Sequence, residues 1–316
     1  MGQTLSLGHS IGWQRIGAFA RLAKVQVWQH WYGIPVVWSL LPAQQAGSPR
    51  VIAMLALMLL SIVCVMGATA AFDDVSGWRD GTDMANYRQS NPVRSFHRKP
   101  LLTGEMSEAE ALTFGRIALA VGLAAGVAPY LLGAVWSPWV LVVFLVIAMA
   151  AAQYSAGLRL SYAGGGELLL VIATSLTVVL PYASITGSMS WRVVLEGLLL
   201  GLFLLQVSAF SNTADAANDR LAHRRTLAAR LPDKANRFFI ASTFGAAWVL
   251  VLVGASVHAL PVLLPLLLIA AWAINAVQLR EGLVRRHWLG ARTLGFRAFD
   301  AGCAGVVAAN LLSGVR

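Results

Sequence analysis

The sequence predicts an all-α, polytopic membrane protein, and three observations predict it. Of 316 residues, 58% are hydrophobic and 12% charged, about half the charged share of a soluble domain. Apolar runs recur along almost the whole chain, each near the roughly 20 residues that a helix needs to cross a bilayer. The basic residues gather on one side of those runs, which is how membrane proteins are oriented.

Nine segments qualify as spans. The first, 25–42, carries the polar pair Gln29 and His30, which suits either a cavity wall or hydrogen bonding between helices. The second, 51–72, ends at the acidic stretch FDDVSGWRDGTD. Spans three and four, 110–133 and 137–156, are joined by a short turn and predict a tight antiparallel pair. The fifth covers 166–187, and the sixth, 193–212, runs into a second acidic stretch, SNTADAANDR. Spans seven and eight, 238–258 and 261–279, again predict a close antiparallel pair. The ninth, 294–313, holds Arg297 and Asp300 three residues apart, a spacing that predicts an ion pair on one helix face. Cys64 and Cys303 lie inside apolar segments and read as small buried residues. No connection is long enough for a soluble domain, so one integral membrane domain over 1–316 is expected. Met1 to Ala23 lacks the apolar core and cleavage pattern of a removable signal peptide.

Orientation follows from charge. With the N-terminus and the connections after spans two, four, six and eight on one side, only Arg50, Arg192 and Arg316 fall on the other. The remaining 21 of the 24 Lys and Arg residues share the first side. The positive-inside rule makes that side cytoplasmic and predicts a multi-pass protein of the cell inner membrane. The net charge of +10 reflects this bias. It calls for no nucleic-acid partner, although attraction to anionic lipid is expected.

Six of the eight aspartates lie in two clusters: Asp73, Asp74, Asp80 and Asp83 after span two, and Asp215 and Asp219 after span six. Four crossings separate the clusters, so both emerge on the cytoplasmic side and can face one cavity. On a continuous helix, Asp73 and Asp80 lie within roughly 20° of each other and Asp83 about 60° further on. Asp215 and Asp219, one turn apart, stack on one face. Carboxylates crowded at a membrane boundary repel each other unless a cation lies between them.

Magnesium suits such oxygens, completing its shell with water and phosphate oxygens. Donors for phosphate flank the clusters: Arg88, Arg94, Arg98 and Lys99 after the first, Arg224 and Arg225 after the second. Acids, bases and apolar spans together describe a site for an amphiphilic diphosphate, its head on metal and arginine and its tail among the helices. Mg2+ stabilises a departing diphosphate, and the aromatic faces of Tyr162, Trp28 and Trp31 are candidates to stabilise a carbocation.

At these residues the sequence resembles the UbiA superfamily of intramembrane prenyltransferases, and looks closest to its menaquinone-type branch. Asn212, Asp215 and Asp219 fit the family pattern N-x-x-D-x-x-x-D, followed by Arg225-Thr226-Leu227-Ala228. Lys99-Pro100-Leu101-Leu102-Thr103-Gly104 is similar to R-P-L-x-S-G, with Lys for Arg, and Tyr162 to Glu167 resembles the stretch that opens span five in the menaquinone branch. The resemblance implies nine helices in a ring around a central cavity, with both aspartate motifs on cytoplasmic loops. It implies Mg2+ on Asp215, Asp219 and the first-motif aspartates (Asp73, Asp80 and Asp83 being the candidates), with Asp74 also in the catalytic group. Lys99, Arg225 and Arg98 would grip the diphosphate, with Arg88, Arg224, Asn212 and Tyr162 as further substrate contacts.

The first motif departs from the family pattern: Asp73 stands for the leading Asn and Gly77 for the middle Asp. UbiA-type terpene cyclases are similar in having Gly or Ala there. Two activities are therefore expected of the resemblance: transfer of a prenyl group to an aromatic or quinone-precursor acceptor, or cyclisation of the prenyl diphosphate on itself. A transporter would place its charges at the bilayer midplane and break its spans with paired Gly and Pro; these acids sit at one membrane face.

Overall fold

A computed structural model describes residues 15–87, 94–132 and 137–314. Among them the chain is helical throughout, and five helices are long and apolar enough to cross a membrane. The helices that matter below are α1 (Gly33–Leu40), α2 (Pro49–Arg79), α3 (Glu108–Leu132), α4 (Pro138–Ala152), α5 (Gly166–Thr186), α6 (Trp191–Leu221), α7 (Asp233–Ser256), α8 (Ile269–Leu279) and α9 (Trp288–Leu312). The five are α2, α3 up to Tyr130, α5, α6 and α7.

Each predicted span contains helix, with three informative differences. The first is divided into a 3-10 turn at Trp28–Trp31 and the short α1. Pro35 has no N–H to return to the Trp31 carbonyl, so a single helix does not run through this region. The eighth is broken in the same way near Pro261 and Pro265: one turn at Leu264–Leu267 precedes α8, which ends in a π turn, Arg280–Val284. Conversely, α2 and α6 continue past the predicted ends of their spans, to Arg79 and Leu221. Asp73, Asp74, Asp215 and Asp219 therefore ride on the last turns of two long helices.

α2 packs along α3, α5 along α6, and α9 against both α6 and α8. The most enclosed helix is α6: 72% of its most apolar stretch is buried, against 33–44% in the other four long helices. The main core joins α6 to α1, α5, α7 and α9 through Val36, Val178, Leu200, Phe203, Val251 and Phe299. α6 is thus the strut on which the second acidic cluster stands. Arg297 and Asp300 do not pair among the described ion pairs. Asp300 instead accepts hydrogen bonds from Gln29 Nε2 (2.8 Å) and Tyr32 Oη (2.6 Å), tying the first predicted span to the last and placing Gln29 between helices. Cys64 and Cys303 are free thiols.

Candidate active site

The first cluster is built from the end of α2 and the reversal that follows it. Asp73 Oδ1 accepts from Ser155 Oγ at 2.6 Å and from Arg224 Nη2 at 3.2 Å, and its other oxygen lies 3.3 Å from Lys24 Nζ. Asp74 is buried; one oxygen accepts from Lys99 Nζ at 2.7 Å, while Oδ2 has no hydrogen-bond partner. Asp80 ends the helix. Its Oδ1 accepts from the Thr82 N–H (3.1 Å) and Oγ1 (2.6 Å), and its Oδ2 from the Tyr162 hydroxyl. These hydrogen bonds hold the Asp80 carboxyl below the usual range although burial works the other way.

At Gly81 the backbone takes a left-handed conformation, φ 77°, which costs glycine nothing. The chain turns back, so the helical projection of Asp83 does not apply. Its carboxylate returns to α2 beside Gly77, and Asp83 Oδ2 accepts from Lys99 Nζ at 2.8 Å. A Cβ on Gly77 would stand 2.8 Å from Asp83 Cγ. Burial, reinforced by Asp74, pushes the Asp83 carboxyl up to about 6 against the pull of Lys99. Lys99 is itself held well above the usual ammonium range: burial opposes its charge, but Asp74 and Asp83 outweigh that penalty.

The second cluster lies along the last turns of α6. Arg94 grips Asp215 with both terminal nitrogens, one of them 2.6 Å from Oδ2, and also reaches Ser211 Oγ at 3.2 Å. Asp219 is buried and accepts from Thr226 Oγ1 at 3.1 Å. Asn212 turns toward α5, donating to Glu167 Oε1 at 3.0 Å; the same oxygen accepts from the Leu227 N–H at 2.9 Å. Asn218 Nδ2 donates to Asn86 Oδ1 at 2.6 Å and joins the two clusters directly.

Both clusters open onto one cavity of about 960 Å³. Asp73, Asp83, Asp215 and Asp219 line it, as do Lys24, Arg94, Arg98, Lys99, Arg224 and Arg292, with Tyr87 and Tyr154 among the bases. Six cationic side chains face four carboxylates, leaving a formal surplus of two positive charges. A cavity so charged recruits an anion. Tyr162 lies outside the lining and supports Arg224 from below, with the guanidinium 4.9 Å from its ring centroid. Asp74 and Asp80 also lie outside the lining, one beneath Lys99 and the other at the helix cap, and Arg225 is exposed. Arg88 and Arg316 fall outside the described residues.

The acids fit a magnesium ion that keeps part of its water. They offer only hard oxygen donors, from two helix ends, around a shared space. Among the described residues no three carboxylates, histidines or cysteines form a ready-made cage, because Lys99 and Arg94 sit between them. A cation here would be completed by water and phosphate oxygens. Sequence reasoning missed Lys24, Tyr87, Tyr154, Ser155 and Arg292 as site residues. For Lys24, Tyr154, Ser155 and Arg292 the only signal was closeness to predicted span ends; nothing local says that they fold over the acids.

A model described as the UbiA prenyltransferase family matches residues 32–289. Among solved structures, a digeranylgeranylglyceryl phosphate synthase aligns with a TM-score of 0.63 at 12% identity, covering 94% of this chain and 99% of its own. A UbiA homologue from Archaeoglobus fulgidus, bound to DMAPP and Mg2+, gives 0.58 at 17% identity over 91% and 99%. An apo UbiA homologue from Aeropyrum pernix K1 gives 0.58 at 18% over 90% and 97%. At these identities the structures speak to the fold. No curated protein matches the chain.

Proposed function

Because the chain belongs to the UbiA prenyltransferase family, we propose that it is a Mg2+-dependent membrane enzyme that ionises an allylic isoprenoid diphosphate and transfers the prenyl group to an aromatic or other small acceptor. One observation carries this reading: two acidic helix ends, four predicted crossings apart, open on a single cavity with a surplus of bases. The A. fulgidus homologue, solved with DMAPP and with GPP in the presence of Mg2+, supports it by analogy.

Asp73, Asp83, Asp215 and Asp219 would hold Mg2+, which supplies charge stabilisation to the leaving diphosphate. Lys24, Lys99, Arg94, Arg98, Arg224 and Arg292 bind and orient the phosphates. Breaking the allylic C–O bond leaves the electron pair on the diphosphate oxygen and an allylic cation on the prenyl chain. Tyr154, on the cavity wall, presents an aromatic face suited to that cation. An acceptor carbon then supplies the new bond and loses its proton. In this reading the nine predicted spans form one domain over 1–316 in the cell inner membrane, ringed around the cavity, with the N-terminus and both acidic clusters cytoplasmic.

Gly77 favours a second reading, since it resembles the Gly or Ala that UbiA-type terpene cyclases have in place of the middle aspartate. In that case the cation is attacked by a double bond of its own chain. Purified protein, Mg2+ and a set of prenyl diphosphates, with and without quinone-precursor aromatics, decides between them. Acceptor-dependent product supports transfer; a cyclic hydrocarbon without acceptor supports cyclisation; diphosphate never released under any combination overturns both.

A further inference from the structure

Asp300 stands within the ninth predicted span, where an ionisable group is costly and by default marks a functional site. The hydrogen bonds it accepts come from neutral donors, Gln29 Nε2 at 2.8 Å and Tyr32 Oη at 2.6 Å, and both land on Oδ1. Trp28 Nε1 donates in turn to Tyr32 Oη at 3.0 Å. Three side chains thus converge on one carboxylate oxygen. Oδ2 receives none of the hydrogen bonds among the described residues, and Asp300 is only half-buried. Gln29 is 3% exposed, and its Oε1 is buried without a partner. One hydrogen bond joins the two groups, so a single patch carries two acceptors that lack a donor.

The two elements that carry this patch both start in the wall of the polar cavity. Gln26 and Val27, which precede the Trp28–Trp31 turn, line that cavity, and so does Arg292 on α9. Asp300 follows Arg292 by eight residues, about 12 Å along the axis at the helical rise of 1.5 Å per residue. What the patch lacks defines its ligand. A carboxylate oxygen and an amide oxygen accept hydrogen bonds and donate none, so the ligand must be a donor. Two oxygens are too few to cage a metal ion. The neighbouring surface is aromatic: Trp28 keeps 47% of its surface exposed, and Tyr32 packs edge-on against Phe299 with ring centroids 5.4 Å apart. A planar aromatic ring bearing a hydroxyl meets both conditions.

We propose that Asp300 and Gln29 seat the aromatic acceptor of the transfer reaction by its hydroxyl, which donates to Asp300 Oδ2 while the ring lies against Trp28. The inference rests on the transfer reading and adds which residues select the acceptor and by which of its groups. Asp300→Asn isolates the contact, because Asn keeps an oxygen for Gln29 and Tyr32 and turns only the other acceptor into an N–H donor. Tyr32→Phe does the reverse: it removes a hydrogen bond from Oδ1 and leaves Oδ2 intact.

The test uses the full chain in nanodiscs with Mg2+, titrated under reducing conditions with 1,4-dihydroxynaphthalene, with its dimethyl ether and, separately, with inorganic pyrophosphate. The wild type is expected to bind the diol roughly tenfold or more tightly than the ether, the scale of a hydrogen bond to a charged group. Asp300→Asn should abolish that preference and raise KM for the diol in prenyl transfer by a similar factor, with pyrophosphate affinity unchanged. Tyr32→Phe should lower the melting temperature and keep the preference. A wild type that binds diol and ether alike overturns the seat whatever the variants do. A preference that survives in Asp300→Asn, or falls equally in folded Tyr32→Phe, makes Asp300 a pin between helices and overturns it too; prenyl transfer and pyrophosphate binding then leave the proposed function standing. Conversion of the prenyl diphosphate to a cyclic hydrocarbon, with no preference for the diol, overturns the transfer reading and the seat with it.

Discussion

The Asp83 carboxylate occupies the space beside Gly77, with its Cγ 2.8 Å and its oxygens 2.9 and 3.0 Å from where a Cβ on that glycine would stand. The carboxylate missing from the first motif is replaced through space by one six residues later, delivered by the left-handed turn at Gly81. This arrangement makes Gly77 a constraint on the site rather than a simple loss.

Substituting Gly77 should accordingly damage the site. Gly77→Ala is expected to displace Asp83 and reduce Mg2+-dependent turnover roughly tenfold or more, the scale of disturbing a metal's support. Gly77→Asp adds a second carboxylate against Asp83 and should be worse, while Gly77→Asp combined with Asp83→Ala should recover part of the loss. Steady-state rates across a Mg2+ titration check the order, and a Gly77→Asp variant as active as wild type would contradict it.

Lys99 is the buried cation shared by Asp74 and Asp83. Lys99→Met leaves Asp83 without its cation and Asp74 with Lys24 alone, at 3.3 Å, and removing one member of a buried pair typically costs about 3–5 kcal/mol. Thermal unfolding in detergent should show a drop of several degrees, and Lys99→Arg should largely retain stability.

Asp215 and Asp219 lie within one turn on α6, the most enclosed helix. Asp215→Ala and Asp219→Ala are each expected to lower turnover by more than the roughly 10–100-fold typical of a metal's outer support; Asp215→Ala also takes the carboxylate from the buried Arg94 and should lower stability as well. Full Mg2+-dependent activity in the double variant would remove both from the site.

Metal removal gives an independent reading. Chelation should abolish turnover, and Mg2+ alone among added ions and cofactors should suffice to restore it. Mg2+ with pyrophosphate at a hundred times the Kd should stabilise the fold by about 2.7 kcal/mol, visible as a raised melting temperature.

Glu167 receives both Asn212 and the Leu227 N–H on one oxygen. Glu167→Ala leaves two half-buried donors unsatisfied, at a cost of about 1 kcal/mol, the low end for an unmade hydrogen bond, whereas Glu167→Gln keeps an acceptor and should restore most of the stability. A difference in KM for the diphosphate between the two would mark Glu167 as positioning the second cluster.

What the sequence displayed depended on whether the backbone stayed regular. Asp215 and Asp219 were legible because α6 continues unbroken to Leu221, so a spacing in sequence is a spacing in space. Asp80 and Asp83 were not, since the helix stops at Asp80 and Gly81 reverses the chain. The apolar stretches announced the long helices, but two spans that composition alone left whole are divided, the first ahead of Pro35 and the eighth at Leu268. Asp300 was misassigned to Arg297 because its partners, Gln29 and Tyr32, arrive from the opposite end of the chain. Lys24, Ser155 and Arg292 reach the polar cavity from three separate elements, a convergence that only tertiary packing creates.

Three of the four acids in the polar cavity are held by a lysine or arginine: Asp73 by Lys24 and Arg224, Asp83 by Lys99, Asp215 by Arg94. In the proposed reading, loading the pocket would be an exchange of partners, in which the ion would take the carboxylates as the phosphates take the released guanidinium and ammonium groups. Either ligand arriving alone strands half of the original pairs, so the two should bind with positive heterotropic coupling, each tightening the other by the same factor.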